Sequence, residues 1–321
     1  MQKFVKHAVS LLLCFWLLPL SAFGKELIPV GQVVGLELRD NTVTIAGVDE
    51  TIGTKTKADA LEVGDRIMVI DGKKINSAED VRSALAHSDG SVTVSIMRNG
   101  KNREYCLKPQ ITADGPKLGI YLRQGVTGIG TVTYYDPENK SFGTLGHGVN
   151  NSSGQLLSLK DGTAYPARVL SIRKGVSGKP GQLMGSIASK TPIGTLTKNT
   201  QQGVFGVSDT GWQAEAYPVA TAEEIKTGSA VIRSNVEADT VREYSVEILK
   251  IYPKSKINGR NLLIRVTDPA LLDTTGGIVQ GMSGSPIIQD GKLIGAVTHV
   301  LVNDPTTGYA IFIENMLEAA G

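Results

Sequence analysis

Three short stretches carry residue types at spacings that acyl-transfer chemistry needs. They are a serine framed by glycines in Gly281-Met282-Ser283-Gly284-Ser285-Pro286, a histidine between glycines in Gly146-His147-Gly148, and an aspartate before proline in Thr267-Asp268-Pro269. A serine hydroxyl is a weak nucleophile. It must be exposed on tight backbone beside amides that hold the oxyanion formed on attack. The glycines permit such a turn, the amides of Gly281 and Ser283 can then point into one pocket, and Pro286 fixes the chain as it enters the apolar run Ile287-Ile288. Ser285 is the rival nucleophile, but it stands one step from the proline and lacks the preceding Gly-x frame. A plain Gly/Ser/Pro turn between two strands would look much the same, so the partner residues decide.

His147 follows Ser141-Phe142-Gly143-Thr144-Leu145, the second of two strands joined by a turn at Asp136-Pro137-Glu138-Asn139. That places an imidazole at a strand end, where a general base can reach a serine brought from another sheet. Leu262 to Val266 reads as an apolar strand ending at Asp268, whose carboxylate could orient His147 and stabilise its imidazolium; Asp209, Asp239 and Asp273 are the alternatives. Read locally, Asp268-Pro269 is equally a turn that opens the segment Ala270-Leu271-Leu272.

These groups need a scaffold, and composition bounds it. A chain of 321 residues suggests two domains at about 150 residues each. A net charge of +2 without a Lys/Arg block argues against nucleic acid. Short Val/Ile/Leu runs broken by Gly, Asn, Asp and Pro predict a mainly β protein. Lys3 and Lys6 precede an apolar run from Ala8 to Leu20 and small residues at Ser21-Ala22-Phe23-Gly24, which predicts an export signal over residues 1–24, cleaved or retained as an anchor. Cys14 lies inside that segment and Cys106 stands alone after it, so the mature chain has no intrachain disulfide. No cofactor or metal is expected, because the four histidines do not cluster at ligand spacing.

Between Glu26 and Pro109 the pattern is a glycine-centred strand at Val33-Val34-Gly35-Leu36-Glu37-Leu38, then Ala60-Leu61-Glu62-Val63-Gly64-Asp65-Arg66-Ile67-Met68-Val69-Ile70-Asp71-Gly72-Lys73-Lys74-Ile75. Ser77 caps a helix over Ala78 to Ala86 with Val81 and Leu85 on one face, and Val92 to Arg98 is a last strand. These residues resemble a PDZ domain of the kind attached to bacterial proteases. The resemblance implies an extended peptide added to the sheet edge, its end held by the loop Val34, Gly35, Leu36 and Glu37, or a unit that docks on its own peptidase. Gln110 to Lys117 reads as a linker, and residues 118–321 as the peptidase unit, with further strands at Ala167–Ile172, Val204–Val207, Ala216–Ala220, Gly228–Ile232, Tyr244–Ile251 and Tyr309–Ile313, and Lys174–Gly185 as a surface loop.

The serine turn and the strands around it resemble chymotrypsin-like peptidases, which implies a double β-barrel, a substrate-pairing strand at Thr298, His299 and Val300, and Gly277 near the S1 wall. The likeness is closer still to the stage IV sporulation protein B peptidases of endospore-forming Firmicutes. It is carried by Thr144-Leu145-Gly146-His147, Thr267-Asp268-Pro269, the run Thr275 to Pro286, Gly295-Ala296-Val297-Thr298-His299-Val300 and Val302-Asn303-Asp304-Pro305-Thr306. That resemblance implies His147, Asp268 and Ser283 as a catalytic triad. It also implies export across the forespore membrane into the intermembrane space. The substrate it implies is the inhibitory subunit of an intramembrane metalloprotease complex, so that a precursor sigma factor is processed. Two other functions compete with this one. An α/β-hydrolase is disfavoured because Gly281-Met282-Ser283-Gly284-Ser285 lacks the final glycine and leads into a strand; a catalytically silent PDZ scaffold that binds partner proteins is the stronger rival.

Overall fold

A computed structural model describes residues 24–88, 90–151, 154–237, 240–253 and 259–321. The expected export segment, Gly24 apart, lies outside the described residues, as does Asp239.

The chain opens with β1 (Glu26–Pro29) and a long β2 (Val33–Val48), followed by α1 (Glu50–Thr56), β3 (Arg66–Ile70), β4 (Lys73–Lys74), α2 (Ala78–Ala86), β5 (Val92–Arg98) and β6 (Lys101–Leu107). A hairpin of β7 (Gln110–Thr112) and β8 (Gly115–Lys117) leads into β9 (Ile120–Asp136), β10 (Ser141–Thr144), β11 (Asp161–Arg173), β12 (Gln182–Ile187), β13 (Gly194–Thr200), β14 (Gly203–Val207) and β15 (Tyr217–Pro218). The last part contains β16 (Gly228–Glu237), β17 (Thr240–Ile251), β18 (Leu262–Val266), α3 (Pro269–Thr275), β19 (Pro286–Gln289), β20 (Lys292–Leu301), β21 (Asp304–Phe312) and α4 (Ile313–Ala320).

Strands β16-β17-β18-β21-β20-β19 close a six-stranded barrel. A second ring, β2-β9-β10-β14-β13-β11, closes through the antiparallel pairing of β2 with β9. The fold is therefore the expected double β-barrel, with the PDZ-like unit set into the first barrel. Leu27, Tyr134, Phe205, Leu293, Ile311 and Met316 form one buried cluster that joins strands of both barrels to α4. Aliphatic side chains buried this fully each contribute about 1.5–3 kcal/mol.

Core membership divides the chain differently from the expected boundary at Glu26. The PDZ core begins at Val43 and ends at Leu118, whereas Ile28, Val30, Val34, Leu36 and Leu38 pack inside the first barrel. The PDZ unit is thus inserted between two barrel strands, β2 and β9, each of which runs on into it. A continuous apolar strand reads the same on either side of such a boundary, which is why sequence pattern does not mark it. The expected linker is the β7–β8 hairpin, packed beside α2. Part of the expected loop at Lys174–Gly185 is β12, paired with β11. Within the PDZ unit, the Glu62-Val63-Gly64-Asp65 turn is held by the Arg98 guanidinium, which donates two hydrogen bonds to the buried Asp65 carboxylate at 2.6 Å each. Burial alone would raise that carboxyl's pKa, but the Arg98 bonds prevail and hold it below the usual range.

Candidate active site

Ser283 lies in the turn between α3 and β19. Met282, fully buried in the second barrel's core, pins the turn from below. From the first barrel, the Thr131 N–H donates to the Ser283 carbonyl at 3.1 Å, Thr131 Oγ1 to the Gly281 carbonyl at 2.8 Å, and Thr133 Oγ1 to the Gly284 carbonyl at 2.8 Å. With these carbonyls drawn toward β9, the amides of Gly281 and Ser283 have no acceptor among the described residues. Two free amides flanking a serine are the donors that an oxyanion hole requires. Gly284 has φ 97, and a Cβ there would lie 2.1 Å from the Thr131 carbonyl, so only glycine lets the turn press this closely on β9.

The two serines are told apart by burial. Ser285 is fully buried and donates to Ser234 Oγ at 3.2 Å, whereas Ser283 is part-exposed and donates to the Thr298 carbonyl at 2.8 Å.

His147 comes off β10 through Leu145 and Gly146, both in left-handed conformation (φ 70 and 67). That conformation is unusual for leucine and costs of order 1–3 kcal/mol. It turns the chain out of the first barrel, so that Gly146 packs against Thr298 and the His147 ring lies 5.5 Å from the His299 ring on β20. The serine and the histidine thus meet adjacent residues of one strand, Ser283 at Thr298 and His147 at His299. His147 Nδ1 lies 3.0 Å from the Gly148 carbonyl. A carbonyl can only accept, so Nδ1 carries the hydrogen and the neutral ring has its lone pair on Nε2, the form a general base needs. Burial lowers the His147 pKa below its ordinary value, against a smaller opposite effect of the Gly148 bond. His299 is pushed down to about 4, by burial first and then by the charges of His147 and Arg260, and its Nδ1 is buried without a partner among the described residues. Both rings are therefore neutral at pH 7.

The expected contact of Asp268 with His147 is not formed. Asp268 is the N-cap of α3: its carboxylate accepts from the Leu271 amide at 3.0 Å and the Ser245 amide at 3.3 Å, with Pro269 at the first turn and Gly276 closing the helix at φ 75. Asp209 pairs with Lys140 and Asp273 lies beside Lys174, both almost fully exposed. Asparagine caps helices as well as aspartate does, so Asp268→Asn is expected to keep kcat/KM within a few-fold. Asp268→Ala should lose about 1 kcal/mol of stability in denaturant unfolding. A triad aspartate would instead lose about 10⁴-fold in kcat on change to asparagine.

Three other expectations are corrected or refined. Gly277 is not an open S1 wall: it is buried, its N–H donates to Thr275 Oγ1 at 3.2 Å and so is taken, and its backbone abuts Pro305. Thr298, His299 and Val300 do lie in β20 beside the serine, paired to β21 on one edge. Val34, Gly35, Leu36 and Glu37 do not form a peptide loop. They are mid-strand in β2, paired to β9 on one edge and β11 on the other, with Gly35 small because Ile187 crosses it.

Leu118-Gly119-Ile120 forms a backbone bend that the sequence pattern does not single out. The Leu118 carbonyl accepts from Thr56 Oγ1 at 2.6 Å and the Gly119 carbonyl from the Asp49 amide at 2.8 Å. In a trans peptide the N–H points opposite its C=O, so the amides of Gly119 and Ile120 face away from those partners. Beside them is a groove of roughly 740 Å³ between β9 and α2, lined by Val81, Leu85, Leu118, Ile120 and Leu122. Over Ile120–Gln124, β9 is paired with β2, and no other described strand covers its second edge. The apolar-Gly-apolar run just after a turn was the available signal.

A family model of the SpoIVB peptidase S55 matches residues 114–317, and one of the PDZ domain matches residues 33–108. No curated protein matches the chain. Among solved structures, it is similar to the PDZ domain of the SdrC-like protein from Listeria monocytogenes, at 26% identity over 26% of this chain and 87% of that one, with a TM-score of 0.23. The corresponding domain from Listeria innocua shows 25% identity over 26% and 94%, TM-score 0.23. The active form of the Rv3671c protease from M. tuberculosis shows 17% identity over 62% and 75%, TM-score 0.35.

Proposed function

The chain belongs to the SpoIVB peptidase S55 family and is a PDZ-containing serine endopeptidase, and from that premise we propose that Ser283 is its nucleophile and His147 its general base. The observation that carries this assignment is the shared strand: Ser283 Oγ bonds to Thr298 while the His147 ring packs on His299, and two free amides flank the serine. Nε2 takes the hydroxyl proton as Oγ attacks the scissile carbonyl, the Gly281 and Ser283 amides hold the oxyanion, and the imidazolium then protonates the leaving amine. The Gly148 carbonyl keeps the ring in the required tautomer. Asp268 serves by capping the helix that leads into the nucleophile turn.

The biological reading rests on the motif resemblance: an enzyme exported into the space between the forespore membranes, cleaving the inhibitory subunit of an intramembrane metalloprotease complex so that a precursor sigma factor is processed. An enzyme with a peptide-docking unit built into its barrel suits few targets better than bulk digestion. Incubating the purified enzyme with the exported part of that inhibitory subunit should give discrete fragments with the wild type and none with Ser283→Ala. An intact subunit would remove this substrate while leaving the peptidase itself standing.

For the PDZ unit we infer that the groove at Leu118–Leu122 takes an extended peptide whose free carboxylate is held by the Gly119 and Ile120 amides. Hydrogen bonds to a charged group contribute about 1.5–3 kcal/mol each. Peptides with an apolar last residue should therefore bind the full-length protein at least about tenfold tighter than their C-terminal amides in fluorescence anisotropy. Equal affinities would remove the carboxylate from the proposal.

A further inference from the structure

The Gly281, Ser283 and Gly284 carbonyls of the nucleophile turn are already tied to β9, and the two oxyanion amides have no acceptor among the described residues. One atom is out of place for catalysis: the Ser283 hydroxyl donates to the Thr298 carbonyl at 2.8 Å, and no hydrogen bond joins it to His147 among the described residues. Thr298 lies where β20 has passed the end of β19, whose register stops at Pro286↔Ala296. Beyond that point β21 covers one edge of β20, with His299↔Tyr309 and Val300↔Gly308, and no described strand covers the other edge at Thr298–Val300. A chain added along that edge must place its own N–H groups on outward carbonyls. The Thr298 carbonyl is the outward acceptor nearest the serine, and the nucleophile occupies it.

We propose that the Thr298 carbonyl is a latch opened by substrate: the backbone N–H of the residue on the acyl side of the scissile bond takes this carbonyl and releases the Ser283 hydroxyl to His147 Nε2. The proposal rests on the assignment of Ser283 and His147 above. Release needs only rotation of one side chain between staggered positions, because the turn is fixed from both barrels. The freed O–H gives its proton to Nε2 as the Oγ–C bond forms, and that proton passes to the departing nitrogen as the C–N bond breaks. The latch also sets a specificity rule. A substrate with proline or an N-methylated residue at that position has no N–H to offer and leaves the hydroxyl parked.

Methanesulfonyl fluoride tests this, since it modifies a serine without occupying the strand edge. Its rate with Ser283, read by mass spectrometry, should rise about fivefold when N-acetyl-alanyl-alanine methylamide is present at a concentration that competes with a peptide substrate. The dimethylamide, which has no terminal N–H, should give no rise. Equal or slower labelling with the methylamide would overturn the latch, because a carbonyl has two lone pairs and the N–H would then share it without displacing the serine. A second measurement needs no ligand. The NMR titration of His147 should coincide in the wild type and in Ser283→Ala, and curves that differ would place the hydroxyl on His147 at rest and also overturn the latch. Absence of any modification at Ser283 by the sulfonyl fluoride would fall on the nucleophile assignment itself.

Discussion

Alanine at Ser283 is expected to lower kcat/KM for peptide cleavage by roughly 10⁴-fold or more while leaving the fold intact. The size follows from the role: without Oγ no acyl-enzyme forms, and only the oxyanion amides and binding contacts remain to act on water. The fold survives because Ser283 is part-exposed and makes a single side-chain hydrogen bond, to the Thr298 carbonyl. Alanine at Ser285 is the matched control. That residue is fully buried and bonds to Ser234, so its loss should cost about 1 kcal/mol of stability while kcat/KM changes little. Unfolding curves and steady-state kinetics on the two variants would show opposite patterns. A reversal, with Ser285→Ala inactive and Ser283→Ala active, would move the nucleophile.

Loss of the imidazole at His147 is the second large effect. His147→Gln keeps a polar side chain but cannot act as a base near neutral pH, and general-base catalysis contributes about 10²–10⁴-fold. A fall in kcat of that order, with KM little changed, is expected. The pH dependence supplies a second readout. The ring must be neutral to accept the serine proton, and burial holds its pKa below its ordinary value. Activity should therefore persist as pH falls through about 6.5 and decline only on the acid side of it, where His147 becomes protonated. A kcat/KM profile whose acid limb lies above about 6.5 would contradict a buried histidine as the base.

How much of this was legible in the sequence depends on the range of the forces involved. The serine turn was legible because a nucleophile turn is local: its glycines, its proline and the strand after it lie within a few residues. The helix at Ala78–Ala86 with its Ser77 cap was legible for the same reason. His147 could be singled out, but what brings it to the serine is a pair of left-handed residues, one of them leucine, and leucine gives no warning of that conformation. Asp268 was ambiguous. A helix cap and a triad carboxylate both ask for an aspartate before proline at a strand end, and only the positions of the Leu271 and Ser245 amides tell them apart. The peptide loop was misplaced because Gly35 and Gly119 both sit between apolar residues. The difference between them is tertiary: β11 covers the edge at Gly35, while the edge beside Gly119 stays open. The same cause hid the insertion of the PDZ unit, since β2 and β9 cross its boundary without a break in pattern.

The most direct test of the central claim is where a fluorophosphonate attaches to the folded protein. Mass spectrometry of the wild type should find the adduct on Ser283 alone. Labelling should be lost in Ser283→Ala, kept in Ser285→Ala and strongly slowed in His147→Gln. An adduct on Ser285, or none on folded wild-type protein, would contradict the account.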